Sequence, residues 1–182
     1  MGKLYDAITP EHETFIAKQP LYFVASAPLA AGGHVNLSPK GLDSFRVVDA
    51  STVMYLDLTG SGNETAAHIV ENSRLTIMFC AFSGHPKILR LYCRGRVVTR
   101  TSADWDACLA RFPAHVGIRQ IIVGDVEQVQ TSCGFGVPIM TLDHQRDQLP
   151  RWAESKGHDG LVDYRRTRNA VSLDGLLSPA TD

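Results

Sequence analysis

The 182-residue sequence predicts a mainly β protein of the α+β class, a small antiparallel barrel with helices packed on its outside. Three observations predict it. Strand-like runs rich in Val, Ile, Leu, Phe and Tyr follow one another almost without interruption over residues 21–99 and return at 120–130. Only two short helical segments interrupt them, too few for a βαβ array. No G-x-G-x-x-G follows a strand, which argues against a doubly wound nucleotide-binding sheet.

Taken in chain order, Thr9-Pro10-Glu11 opens a first helix, with Thr as N-cap, Pro at the first helical position and an acid in the first turn. It runs to about Lys18, and Gln19-Pro20 ends it. Strands are expected over 21–27, 33–38, 45–48, 52–58, 75–82, 88–99 and 120–130. In the strand near residue 90, alternation sets Ile88, Arg90, Tyr92 and Arg94 on one face, against Leu89, Leu91 and Cys93 on the other. Residues 64–71 read as a helix with Ala67, Ile69 and Val70 available for one face. Residues 103–112 read as another, with Trp105, Cys108, Leu109 and Phe112 at helical spacing. Thr101 and Asp104 occupy capping-box positions before it. Residues 143–169 are expected to be helical with a break at Pro150, and 176–182 to form a loose tail. The length favours one domain over 1–182: a helical segment at 1–20, the barrel at 21–138, and a helical segment with tail at 139–182.

Lys and Arg total 18 against 19 Asp and Glu, so no overall field would recruit nucleic acid or an anionic membrane. An anion would have to be held by a local site. No stretch approaches the roughly 20 apolar residues that span a bilayer. The opening Met1-Gly2-Lys3-Leu4-Tyr5-Asp6 lacks an apolar run, so no signal peptide is expected. Cys80, Cys93, Cys108 and Cys133 are widely spaced with no C-x-x-C, which reads as reduced thiols of a cytoplasmic protein. The seven histidines show no metal-ligand spacing, and no metal is expected.

Four segments carry candidate chemistry. In Thr59-Gly60-Ser61-Gly62-Asn63-Glu64-Thr65, a strand end passes through two glycines into a helix. Free backbone N–H groups and the positive helix end can then face one way and bind an anion. Ser61 and Glu64 also form an S-x-x-E capping box, which needs no ligand. Asn36-Leu37-Ser38-Pro39-Lys40-Gly41 brings a strand into a turn with one cation, either a ligand contact or a solvated lysine. In the strand from Lys87 to Arg96, the long polar residues Arg90, Tyr92 and Arg94 on one face could line a cleft or face water. Thr131-Ser132-Cys133-Gly134-Phe135 is a small polar turn that permits close backbone approach to a flat ligand or a partner subunit; Cys133 is expected as a buried structural thiol rather than a nucleophile.

The set resembles the pyridoxamine 5′-phosphate oxidase-like family of FMN-binding split barrels. The carrying stretches are HVNLSPKG from His34, YLDLTGSGNETAAH from Tyr55, LTIMFCAF from Leu75, LRLYCRGRV from Leu89 and TSCGFGVP from Thr131, in the family's order. The resemblance implies a six-stranded antiparallel split barrel and a homodimer with FMN at the subunit interface. It implies cofactor contacts from Asn36, Ser38 and Lys40 along the ring, and from Thr59, Ser61, Asn63, Glu64 and Thr65 at the phosphate and ribityl chain. It implies further contacts from Lys87 and Arg90, often of the second subunit. Pyridoxamine phosphate oxidases proper carry Ser-Arg-Lys at the phosphate turn, where this chain has Asn63-Glu64-Thr65. Their C-terminal substrate-phosphate arginine has no counterpart after Pro138. These departures argue against vitamin B6 oxidation. They leave an FMN-dependent oxidoreductase of unassigned substrate, with no catalytic residue identified, or a non-catalytic flavin or pyridoxal-phosphate carrier; deazaflavin or haem are further ligands of such barrels.

Overall fold

In a computed structural model describing residues 2–179, one antiparallel sheet curls around the core. Its strands are β1 (Lys3–Tyr5), β2 (Tyr22–Ser26), β3 (Asn36–Lys40), β4 (Phe45–Val47), β5 (Thr52–Leu58), β6 (Arg74–Cys80), β7 (Ile88–Val98) and β8 (Ile118–Ser132). They lie in the order β3-β2-β6-β7-β8-β5-β4, with β1 beside β8. Every segment read as a strand is one. The sheet nevertheless has eight strands rather than six. The unforeseen β1 has three residues and no apolar alternation, and it exists because β8 overhangs far enough for Lys3 to pair with Thr131 and Tyr5 with Val129.

The pattern of burial explains the sequence pattern. Along β7 the burial alternates as expected, Leu89, Leu91 and Cys93 inside and Arg90 and Tyr92 half-buried. Strand β5 over 53–57 and strand β8 over 118–124 are instead buried at successive residues, because both faces are covered there. Val53, Tyr55 and Ile122 join Val24, Ile77, Leu89 and Leu91 in the barrel interior. Met54, Leu56, Ile121 and Val123 pack in a second cluster with Trp105 and Cys108 of α3 (Trp105–Leu109). Each such side chain contributes about 1.5–3 kcal/mol when fully buried. Helix α2 (Glu64–Asn72) lies so close to β7 that a Cβ on Gly95 would meet Ile69 Cδ1 at 2.8 Å.

Helix α1 (Pro10–Ala17) starts as predicted, Thr9 Oγ1 accepting from the His12 backbone N–H while His12 Nδ1 accepts from that of Thr9. Other expectations are corrected. Helix α3 is shorter than 103–112, and Thr101 and Asp104 make no capping box; the Asp104 carboxylate pairs with Arg96 at 2.7 Å instead. The last helix, α4 (Gln148–Arg168), begins later than 143 and breaks at Gly157 (φ 65°) rather than Pro150. Pro150 sits in the first turn, where its missing N–H would have had no helical partner anyway. Residues 176–178 are docked, not loose. Ser178 N–H donates to Ala170 O, and Leu176 O accepts from Ser172 N–H. The rest of the expected tail, 180–182, lies outside the described residues. No helix among those described is long and apolar enough to cross a membrane, and no cluster of His, Cys, Asp or Glu there could hold a metal ion.

Candidate functional site

The two ends of the curled sheet approach each other where β3 faces the end of β5 and the start of α2. Between them lies a cavity of about 310 Å³, lined by Asn36, Ser38, Lys40, Ser61, Asn63, Glu64 and Thr65 together with Asp57, Leu58, Gly60, Gly62 and Arg119. Seven of the ten predicted cofactor contacts thus converge. Alternation along β3 points Asn36, Ser38 and Lys40 the same way, and Pro39 is tolerated because β3 is an edge strand. Lys40 lies within the strand rather than in a turn beyond it.

The floor is a buried polar network. Arg119, 3 % exposed, donates from Nε and Nη2 to Asp57 Oδ2 at 2.9 and 2.8 Å, and from Nη1 to Gly62 O and to Asn169 Oδ1. Gln120 Nε2 donates to Asp57 Oδ2 and Asn63 Oδ1, both at 2.7 Å. Lys40 Nζ lies 3.3 Å from Asp57 Oδ1 and 5.4 Å from the centre of the Tyr55 ring. Burial alone would raise the Asp57 carboxyl; Arg119, Lys40 and the Gln120 amide outweigh it and hold it below the usual carboxylate range. Burial also pushes the Tyr55 phenol well above its ordinary value.

The turn leading into α2 is an open set of donors. Among the described residues, the backbone N–H groups of Gly60, Ser61, Gly62, Asn63, Glu64 and Thr65 are bonded to no other group. The Ser61–Glu64 capping box does not form. Asn63 is the N-cap without a side-chain cap bond, and Glu64 Oε2 instead accepts from Leu173 N–H at 3.0 Å. Asn63, 4 % exposed, keeps its Nδ2 without a partner. Neither Gly60 nor Gly62 takes positive φ. The glycine the turn needs is Gly117 (φ 77°), whose carbonyl accepts from both Thr59 N–H at 2.8 Å and Thr59 Oγ1 at 2.9 Å. Thr59 therefore braces the turn from behind and does not line the cavity.

Lys87 and Arg90 stand apart from this cavity. Lys87 pairs with Glu11 at 2.9 Å over the Phe15 ring, and Arg90 donates to Ser132 Oγ at 3.1 Å. The Gly134 turn makes its close approach to the protein's own chain, a Cβ there meeting the Lys87 backbone at 2.8 Å. Cys133 is exposed, contrary to expectation, because that turn faces outward; Cys80, Cys93 and Cys108 are buried, and burial pushes the Cys93 thiol up to about 12. The sequence reading missed Asp57, Arg119, Gln120 and Asn169. A signal existed for the first three: charged or amide residues inside apolar strand runs must find buried partners.

A split barrel with a donor-lined turn where its sheet ends meet defines the class, and the chain belongs to the pyridoxamine 5′-phosphate oxidase family, whose profile matches residues 8–133. It is 40% identical over 193 aligned positions to the pyridoxamine 5′-phosphate oxidase family protein ustO of Aspergillus flavus, covering 97% of this chain and 77% of that protein. The same fold occurs in HupZ from Group A Streptococcus (24% identity, TM-score 0.51, 67% of this chain and 91% of that one). It also occurs in a Lactobacillus delbrueckii protein solved as a candidate pyridoxamine 5′-phosphate oxidase (22% identity, TM-score 0.53, 69% and 94%).

Proposed function

We propose that this chain binds FMN in the cavity between β3 and α2 and acts as an FMN-dependent oxidoreductase. One observation carries the reading: six consecutive unbonded backbone N–H groups and the orphaned Asn63 Nδ2 border a cavity that also holds Lys40. That donor set fits a phosphate, which bonds well to N–H groups at a helix start. The Ser61 hydroxyl and Asn63 amide would add donors, and Asn36, Ser38 and Lys40 would hold the remainder of the cofactor. Bound FMN would supply the two-electron redox chemistry. The chain's own part is to fix the cofactor, to exclude water from the buried Asp57–Arg119 floor and to present the Lys40 ammonium to it. Vitamin B6 phosphates are disfavoured as substrates by the missing cations at 63–65.

The active species would be a homodimer. Leu37, Phe135 and Ile139 are 62%, 78% and 86% exposed, apolar area that a second copy would cover, and Lys87 and Arg90 would then reach the partner's cofactor. Four free cysteines support a cytoplasmic setting. A second reading, a non-catalytic flavin carrier, is favoured by one observation. Every charged side chain on the cavity already has a partner, Lys40 and Arg119 in Asp57 and Glu64 in the Leu173 N–H, so no lone acid or base is available.

The test is to incubate purified protein with excess FMN, remove free flavin by gel filtration, and record absorption and elution mass. Flavin retained at one per chain on a dimer is expected; colourless protein would overturn the reading. Oxidation of reduced nicotinamides or amines by the loaded dimer distinguishes enzyme from carrier.

A further inference from the structure

We infer that Asn169, at the end of α4, is a positioning residue that aims the turn's N–H groups into the cavity, so that the C-terminal segment forms part of the cofactor site. This rests on the flavin reading above. A trans peptide points its C=O and the next residue's N–H in opposite directions. Anchoring a carbonyl behind the turn therefore commits the following N–H to the front. Gly60 O accepts from Asn169 Nδ2 at 3.0 Å, which fixes the Ser61 N–H. Gly62 O accepts from Arg119 Nη1 at 2.9 Å, which fixes the Asn63 N–H. Asn63 O accepts from Ala67 N–H at 3.2 Å and Ser178 Oγ at 3.4 Å, which fixes the Glu64 N–H.

Asn169 joins the first two anchors. While its Nδ2 holds Gly60 O, its Oδ1 accepts from the same Arg119 Nη1 at 2.7 Å, and the side chain is 2 % exposed. An amide suits this position because it must donate and accept at once; Asp could only accept and Ala could do neither. The same segment draws the one carboxylate of the turn aside, Leu173 N–H donating to Glu64 Oε2, and is tied to the start of β3 by Asp174, which accepts from His34 N–H at 2.8 Å. A ligand is indicated independently of the helix start by Asn63, a residue of the cavity lining whose buried Nδ2 has no partner.

The experiment compares wild type, Asn169→Ala and Asn169→Asp in fluorescence titrations with FMN and with riboflavin, which lacks the phosphate. A parallel titration follows the amide resonances of Ser61, Asn63 and Glu64 with inorganic phosphate. Both variants are expected to bind FMN at least about tenfold more weakly, the scale of one charge-assisted hydrogen bond, with riboflavin affinity unchanged. Phosphate-induced amide shifts should be lost in parallel. Equal losses for FMN and riboflavin, or retained FMN affinity in either folded variant, would overturn the proposal by making Asn169 merely structural. If Asn169→Ala does not fold, Asn169→Asp, which keeps the Arg119 acceptor, decides alone. Wild-type protein that takes up no flavin but shows the phosphate shifts, lost in the variants, sinks the flavin reading and leaves the role of Asn169 standing. Wild type that responds to neither sinks both.

Discussion

Two cavities in this molecule differ in kind. The larger, about 680 Å³, opens between α1 and β4 over Tyr22, Phe45 and Phe79. Most of its polar groups are spent, although the buried His115 Nε2 has no partner: Arg46 pairs with Asp43 at 2.8 Å and donates to Arg111 O, and Tyr22 Oη and Ser44 Oγ share a bond of 2.8 Å. The smaller has less than half that volume, yet it gathers unbonded N–H groups, an orphaned amide and a buried ion network. Size locates empty space; unspent hydrogen-bonding capacity locates a site.

Substitutions can break that contrast, beginning with the largest effect. Arg119→Ala leaves the buried Asp57 carboxylate with only the Lys40 ammonium and the Gln120 amide, at a cost of about 3–5 kcal/mol in urea unfolding, and FMN binding should fall with it. Phe79→Ala in the floor of the larger cavity should cost about as much, roughly 3–5 kcal/mol, yet leave FMN affinity per folded molecule unchanged. If both variants lose FMN affinity equally, the two cavities are one functional unit.

Asp57 gives the pH dependence. Its folded-state pKa is depressed, so its contribution is fully present above the unfolded value of about 3.9 and is lost as pH falls through the lower folded value. Asp57→Asn should remove that acid-limb loss, read as thermal midpoints at stepped pH. A smaller change is expected from Glu64→Gln. Removing the one carboxylate on the turn should tighten FMN roughly fivefold, the scale of two charges about 4 Å apart in water, without changing riboflavin binding. Lys87→Ala should change stability least, by about 0–1 kcal/mol, since its partner Glu11 is largely exposed. A marked loss of FMN binding in that variant would show that Lys87 serves the other subunit's site.

The fold was legible because alternation and apolar runs report burial directly. Much of the cavity was legible too, because Asn36, Ser38, Lys40 and the 59–65 turn form short local motifs. What escaped was assembled over distance. Asp57, Arg119 and Asn169 lie 62 and 50 residues apart in sequence, and only the antiparallel register of β5 on β8 and the return of α4 bring them together. The Ser61–Glu64 capping box failed for the same reason: a local partner lost to the Leu173 N–H, more than a hundred residues away.

The meeting of β3 with β5 and α2 has a mechanical consequence. No backbone ladder joins them; the junction is held by side chains, Lys40 to Asp57 and Asn36 Nδ2 to Thr65 Oγ1 at 2.9 Å. A split here breaks those two bonds and strains the strap that links Glu64 to His34 through Leu173 and Asp174, but it breaks no strand pairing. The barrel therefore has a seam closed by side chains alone, and widening along it would leave every strand ladder laced.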